Sequence, residues 1–219
     1  MKAKLSNTSM RIVAAVVMIM IAAIAAMGQY YGFPAVRWLG CAVVALMILE
    51  YVGVLWRHRA TALTKKNAVI CIAFLGWLIV MLRAIYVVGN RPWIILLMLM
   101  TIAAADIGAW FFGKMLGGDK MWERLSSGKT WSGQIAGILC GTLAAIMYGL
   151  LGTDTFMPQL MWIGISMALM SQYGDLTASM IKRRIGIKDF GNIIPGHGGV
   201  LDRFDGWIYV LPIVWMVTL

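Results

Sequence analysis

Apolar residues run on for about twenty positions at a time along this chain, and short stretches rich in Lys and Arg separate the runs. A helix crossing a bilayer needs about 20 mostly apolar residues, so each run has the length of a span. The runs lie near 11–28, 36–56, 67–88, 92–113, 131–151 and 157–178, and a last one begins near 199–206 and reaches Leu219. They are continuously apolar and rich in Leu, Met and Ala. A membrane barrel would instead alternate over about ten residues, so the pattern predicts helices. The expected fold class is all-α, a polytopic integral membrane protein of about seven transmembrane helices. It is expected to form a single membrane domain over 1–219, with amino-terminal spans in 1–91 and catalytic spans and connections in 92–219.

Composition agrees: 61% of the 219 residues are hydrophobic and 13% are charged, against roughly 25% charged in soluble domains. The net charge of +10 raises nucleic acid as a partner, and the placement of the basic residues argues against it. Lys2, Lys4 and Arg11 precede or open the first run. Arg57, Arg59, Lys65 and Lys66 lie in the second connection, and Lys114, Lys120, Arg124 and Lys129 in the fourth. Lys182, Arg183, Arg184, Lys188 and Arg203 lie in the sixth, which leaves Arg37, Arg83 and Arg91 for the other face. By the positive-inside rule the amino terminus and the even-numbered connections face the cytoplasm. The charge therefore reports topology, and anionic lipid or nucleotide phosphates, rather than DNA or RNA. The first run could also be a cleaved signal sequence, but it is long for one and many spans follow. Cys41, Cys71 and Cys140 all fall inside spans with no paired spacing, so neither a metal knuckle nor a disulfide is expected. Gly133, Gly137, Gly141, Ala145 and Gly149 recur every fourth residue, a row that lets another helix approach closely. Internal packing is the expected use; a homodimer seam is the alternative.

Ionisable groups at membrane depth are costly and so are candidates for function. Glu50 lies inside the second span, where it could pair with another span, reach an aqueous cavity or take part in chemistry. Asp106 opens DIGAWFFGK in the fourth span and is either a site residue or a packing polar group. Asp175 lies near the cytoplasmic end of the sixth. A helix continued past Asp175 puts Ser179 and Lys182 on the same face. Asp202 and Asp205 are expected at the start of the last helix, again on one side. Carboxylates without Cys or several His suit a hard cation such as Mg²⁺, with room for a second cation. Lys182, Arg183, Lys188 and Arg203 suit phosphate oxygens. A basic loop that merely sets topology would not need Gly191, Gly196, Gly198 and Gly199, which permit tight turns and close approach to a ligand. His197, between two of them, is expected to touch that ligand, with a structural role for a lone His as the alternative. It need not be a base, because a phosphomonoester is already mostly anionic at neutral pH.

The stretch SMIKRRIGIKDFGNIIPGHGGVLDRFD, from Ser179 to Asp205, resembles the signature of the phosphatidate cytidylyltransferases. The preceding Gly174-Asp175-Leu176, DIGAWFFGK from Asp106 to Lys114, and SSGKTWSG from Ser126 to Gly133 resemble the same family. The resemblance covers roughly the carboxyl-terminal half. It implies the reaction of CTP with phosphatidate to give CDP-diacylglycerol and diphosphate, with Mg²⁺ required. It also implies that Asp175 and Asp202 are metal ligands with Asp205 a third, and that Lys182, Arg183, Lys188 and Arg203 hold phosphates alongside Lys129. The chain departs from the family where SPKKTWEG is usual, with Ser127, Gly128 and Ser132 at the changed positions, and where serine usually follows the last aspartate, here Gly206. A short chain with a cytoplasm-facing site and no targeting extension suggests a bacterial inner membrane as the expected location, multi-pass, with the active site facing the cytoplasm. The rival readings are a CTP-dependent lipid-alcohol kinase, a transporter of an anionic solute, and an inactive scaffold.

Overall fold

The computed structural model describes residues 7–122, 126–151, 157–196 and 198–218. Lys2, Lys4, Arg124, His197 and Leu219, named above, lie outside the described residues. The elements are α1 (Asn7–Tyr30), α2 (Ala35–Arg57), α3 (Arg59–Ala62), α4 (Lys65–Val88), α5 (Pro92–Leu116), β1 (Lys120–Trp122), β2 (Ser126–Thr130), α6 (Trp131–Leu150), α7 (Met157–Ile185) and α8 (Trp207–Val217). Five of the helices, α1, α2, α4, α5 and α6, are long and apolar enough to cross a membrane. The protein is a multi-pass helical membrane protein.

Two expected spans differ from this pattern. The sixth run forms α7, which has 29 residues and ends in Lys182, Arg183 and Arg184. The last helix starts only at Trp207 and has 11 residues with Pro212 inside it. At 1.5 Å per residue it rises about 16 Å, half the hydrocarbon thickness of about 30 Å. Residues 199–206 form turns instead of the helix start expected there, so Asp202 and Asp205 are loop residues. The fold also includes one antiparallel hairpin, with Lys120 opposite Thr130 and Trp122 opposite Ser126. Its strands are too short and polar to show a sheet period in the sequence.

The chain packs as two compact units. The first comprises Met1–Pro92, Ile181–Phe204 and Trp215–Leu219; the second comprises Trp93–Met180 and Asp205–Val214. In the first, α2 packs on α1 and α4. Tyr51, fully buried, stacks edge-on against Phe74 at 5.0 Å and Phe190 at 5.9 Å, and its hydroxyl donates to the Cys71 carbonyl at 3.1 Å. Most of α1 faces outward with its apolar side chains, Ile12, Ile19 and Ile24 among them, as a lipid-facing helix does.

In the second unit the small-residue row of α6 meets α5 and α7. A Cβ on Gly137 would lie 2.8 Å from the Ala105 carbonyl oxygen and 2.5 Å from Gln172 Nε2; one on Gly141 would lie 2.9 Å from the Ala168 Cβ. From the opposite side, a Cβ on Gly108 would lie 2.6 Å from the Cys140 sulfur. The row is therefore used inside the chain, as the internal-packing reading expects. α6 itself begins at Thr130, whose side-chain oxygen accepts the Gly133 amide at 3.1 Å, a hydroxyl N-cap. Overpacking in such a seam costs about 1–3 kcal/mol. Gly137→Leu is thus expected to lower the melting temperature of the detergent-solubilised protein by several degrees. Gly76→Leu, where no neighbour lies within 4 Å, leaves it unchanged. Equal melting of the two variants would contradict the seam.

Candidate functional site

Each compact unit contains a cluster of the residues singled out in the sequence. In the first unit the cluster grows from the end of α7. That helix stops at Gly186, whose φ of +85° is open to glycine; the Ile187 amide bonds the Lys182 carbonyl at 2.9 Å and the Gly186 amide bonds that of Arg183 at 3.2 Å. This double closure caps the last carbonyls and turns the chain into the loop that follows.

The loop folds back on itself at residues 194–198, where the Ile194 amide donates to the Gly198 carbonyl at 2.9 Å. Gly196 at φ +74° and Gly198 at φ +91° supply the left-handed turns. Asp202 fastens the loop. Its Oδ1 lies 2.7 Å from Lys182 Nζ, and its Oδ2 accepts the Phe190 amide at 2.8 Å and the Gly199 amide at 3.1 Å. The Asp202 side chain is 4% exposed and that of Lys182 12%. The ammonium also sits 5.3 Å from the Phe190 ring centroid, a favourable cation–π distance. Lys182 is thus held by a buried carboxylate and an aromatic face, with capacity for a further anion among its three N–H donors.

Arg183 and Lys188 are exposed; one Arg183 nitrogen donates to the Ile187 carbonyl at 3.4 Å. Arg203 is exposed as well. Beside this loop a pocket of about 180 Å³ is lined by Val54, Arg57, His58, Ile187, Asp189 and Phe190, among others.

The second unit brings together Asp175, Lys129 and Ser179. Lys129 Nζ lies 2.5 Å from Asp175 Oδ2, with the side chains 25% and 38% exposed. Ser179, one turn on along α7, donates to Asp175 Oδ1 at 3.4 Å, as the helical spacing predicts. Asp106 on α5 is exposed and feels the charges of both Asp175 and Lys129. The hairpin before α6 is what delivers Lys129 to this place. In the same unit Asp205 accepts the Gly206 amide on Oδ1 at 2.9 Å. Gly174 lets the Asp205 carbonyl rest against α7, where a Cβ would overlap it, and a Cβ on Gly206 would lie 2.9 Å from the Ser171 hydroxyl. Glycine in place of the usual serine at 206 therefore suits the local packing.

The same-face reading of α7 holds for Ser179, whereas the Lys182 ammonium is engaged by Asp202, twenty residues on. Glu50 was open to three uses, and the structure gives it a partner in the signature loop: its Oε2 accepts the Leu201 amide at 2.9 Å. A lone carboxylate in an apolar run was the available signal; its partner 151 residues away was not readable. Arg57, which lines the pocket with Asp189 of the signature stretch, carried no motif that set it apart.

The donor chemistry bears on a metal. Asp175 has a half-exposed carboxylate whose oxygens accept from the Ser179 hydroxyl and the Lys129 ammonium; with Lys129 drawn to a substrate phosphate, it would fit a hard divalent ion completed by those phosphates. Asp202 fits less well, because its carboxylate is only 4% exposed and is tied to two loop amides as well as to Lys182. Among the described residues no three His, Cys, Asp or Glu side chains stand close enough to form a metal cage by themselves.

The model of the cytidylyltransferase family matches residues 2–219. A phosphatidate cytidylyltransferase of Rickettsia bellii is 35% identical over 202 residues, covering 84% of this chain and 83% of that protein. One from Staphylococcus epidermidis is 33% identical over 177 residues, 80% of this chain and 66% of the relative. One from Staphylococcus aureus is 40% identical over 122 residues, 55% and 46%. The chain thus spans most of the rickettsial protein and two thirds or less of the staphylococcal ones. With a match from end to end and the loop residues of the signature assembled around Asp202, the chain belongs to the cytidylyltransferase family.

Proposed function

We propose that the protein is a phosphatidate cytidylyltransferase, converting CTP and phosphatidate to CDP-diacylglycerol and diphosphate. The observation that carries this reading is the Lys182–Asp202 pair, which holds a buried cation inside the loop that resembles the family's signature. A phosphate oxygen of phosphatidate attacks the α-phosphorus of CTP, a new P–O bond forms, and the bond to the β-phosphate oxygen breaks to release diphosphate. The nucleophile is already mostly anionic at neutral pH, so no side chain needs to remove a proton from it. A lipid-alcohol kinase would need a base for its hydroxyl.

Lys182 contributes positive charge where phosphate charge builds up and is held in place by Asp202. Lys129 supplies a second cation, and Arg183, Lys188 and Arg203 an exposed basic surface that attracts anionic headgroup and nucleotide. Asp106, Asp175 and Ser179 give the hairpin-side cluster its polar and anionic groups. Mg²⁺ is the metal proposed, held at Asp175 and by the substrates. When bound it neutralises phosphate charge and orients the phosphates for in-line displacement. Asp202, in the other unit, would ligate a metal only by releasing Lys182 or a loop amide, and Asp205 only by sharing the oxygen that caps Gly206. The basic residues at the ends of α2 and α7 favour a cytoplasmic face for this chemistry, where CTP meets lipid.

Phosphatidate-dependent release of diphosphate tests the reading. Purified protein with CTP and Mg²⁺ is expected to release diphosphate only when phosphatidate is added, and EDTA is expected to abolish it until Mg²⁺ is restored. Release of CDP instead would overturn it in favour of a kinase.

A further inference from the structure

We infer that Glu50, on the second helix, is a positioning residue of this site: its buried carboxylate fixes the loop that presents Asp202 and Lys182. The inference rests on the functional reading above. Glu50 is 5% exposed in a helix otherwise built for lipid and core. Its Oε2 accepts the Leu201 amide at 2.9 Å. Leu201 adjoins Asp202, so the acceptor sits one residue from the side chain that holds Lys182. Asp202 and Arg57 are the charged groups Glu50 feels, and neither Lys nor Arg makes a salt bridge with it among the described residues. Its hydrogen-bond partner is a backbone amide, as for a group that orders a loop.

Two glycines of the signature support this independently. Neither Gly191 nor Gly199 has a positive φ, so backbone conformation does not require glycine at either place. Space does: a Cβ on Gly191 or on Gly199 would overlap the Glu50 carboxylate. The loop closes around Glu50 from both sides, and the Gly199 amide in turn bonds Asp202. A chain of contacts therefore runs from Glu50 through Leu201 and Gly199 to Asp202 and Lys182. Displacement of a supporting group by about 1 Å can cost on the order of 100-fold in rate, which is the scale expected here.

The test measures kcat, KM for both substrates and the melting temperature of the full chain in detergent. It compares the wild type with Glu50→Gln, Glu50→Ala, Gly199→Ala and the double variant Glu50→Ala/Gly199→Ala. Glu50→Ala is expected to lose about 100-fold in kcat with little change in the KM for phosphatidate. Glu50→Gln keeps a carbonyl acceptor for the Leu201 amide and is expected to lose less than about 10-fold. Gly199→Ala is expected to lose kcat in the wild-type background and to cost less once Glu50 is alanine, since the overlapping carboxylate is gone. Should Glu50→Ala fail to fold, Gly199→Ala and Glu50→Gln carry the comparison. An active wild type whose Glu50→Ala and Gly199→Ala variants keep their kcat overturns the inference and leaves the functional reading intact. Additive effects of the two changes also overturn it. A wild type that makes no CDP-diacylglycerol overturns the functional reading, and Glu50's part in it falls too.

Discussion

Asp175→Asn is expected to lower turnover by on the order of 10³-fold while the protein inserts, purifies and melts as the wild type does. Asparagine keeps the shape of the side chain and its acceptor for Ser179, so the change removes charge and little else. The pair with Lys129 is more than a third exposed on the Asp175 side, and such pairs contribute about 0–1 kcal/mol to stability. Its loss should scarcely move the melting temperature. What disappears is an anionic oxygen able to hold a hard cation, and the partner that keeps Lys129 in place. Steady-state kinetics across a Mg²⁺ titration, with melting on the same samples, checks both halves. Turnover within about tenfold of wild type, an ordinary supporting-residue effect, would contradict the role given to Asp175.

Asp202→Ala is expected to lose both activity and stability. This carboxylate is nearly fully buried and serves three donors, the Lys182 ammonium and the Phe190 and Gly199 amides. Its removal leaves a mostly buried cation uncompensated, which costs about 3–5 kcal/mol, and two amides without their acceptor. For a chain of this size that corresponds to a fall in melting temperature on the order of 10 °C. Lys182→Met combined with Asp202→Leu should recover part of the stability, because the uncompensated charge goes too, and none of the activity. Recovery of activity in the double variant would show that the pair is structural only. The contrast between Asp175, a loss of rate at constant stability, and Asp202, a loss of both, follows from their burial.

The helical membrane architecture was legible because lipid removes alternatives: an uninterrupted apolar run of span length has little choice but to be a helix. The Asp175–Ser179 contact was legible because it is local, four residues apart on one helix. The last span was read as longer than it is. Hydropathy treats Val200 and Leu201 as membrane residues, whereas they are buried loop residues, and the Leu201 amide meets Glu50. The turns at Asp202 and Asp205 were missed for the same reason. Glu50 and Asp202 both stood out as costly polar groups, yet their partners were chosen by tertiary packing across up to 151 residues, and residue spacing has no access to that. The hairpin that carries Lys129 was invisible because three- and five-residue polar strands have no period to detect.

Transfer of the cytidylyl group to a lipid phosphate can be followed by label. Purified protein is given phosphatidate and Mg²⁺ with CTP labelled at the α-phosphate in one reaction and at the γ-phosphate in another. The α label is expected in the lipid and the γ label in free diphosphate. Label from the γ-phosphate in the lipid, with CDP released, would contradict it.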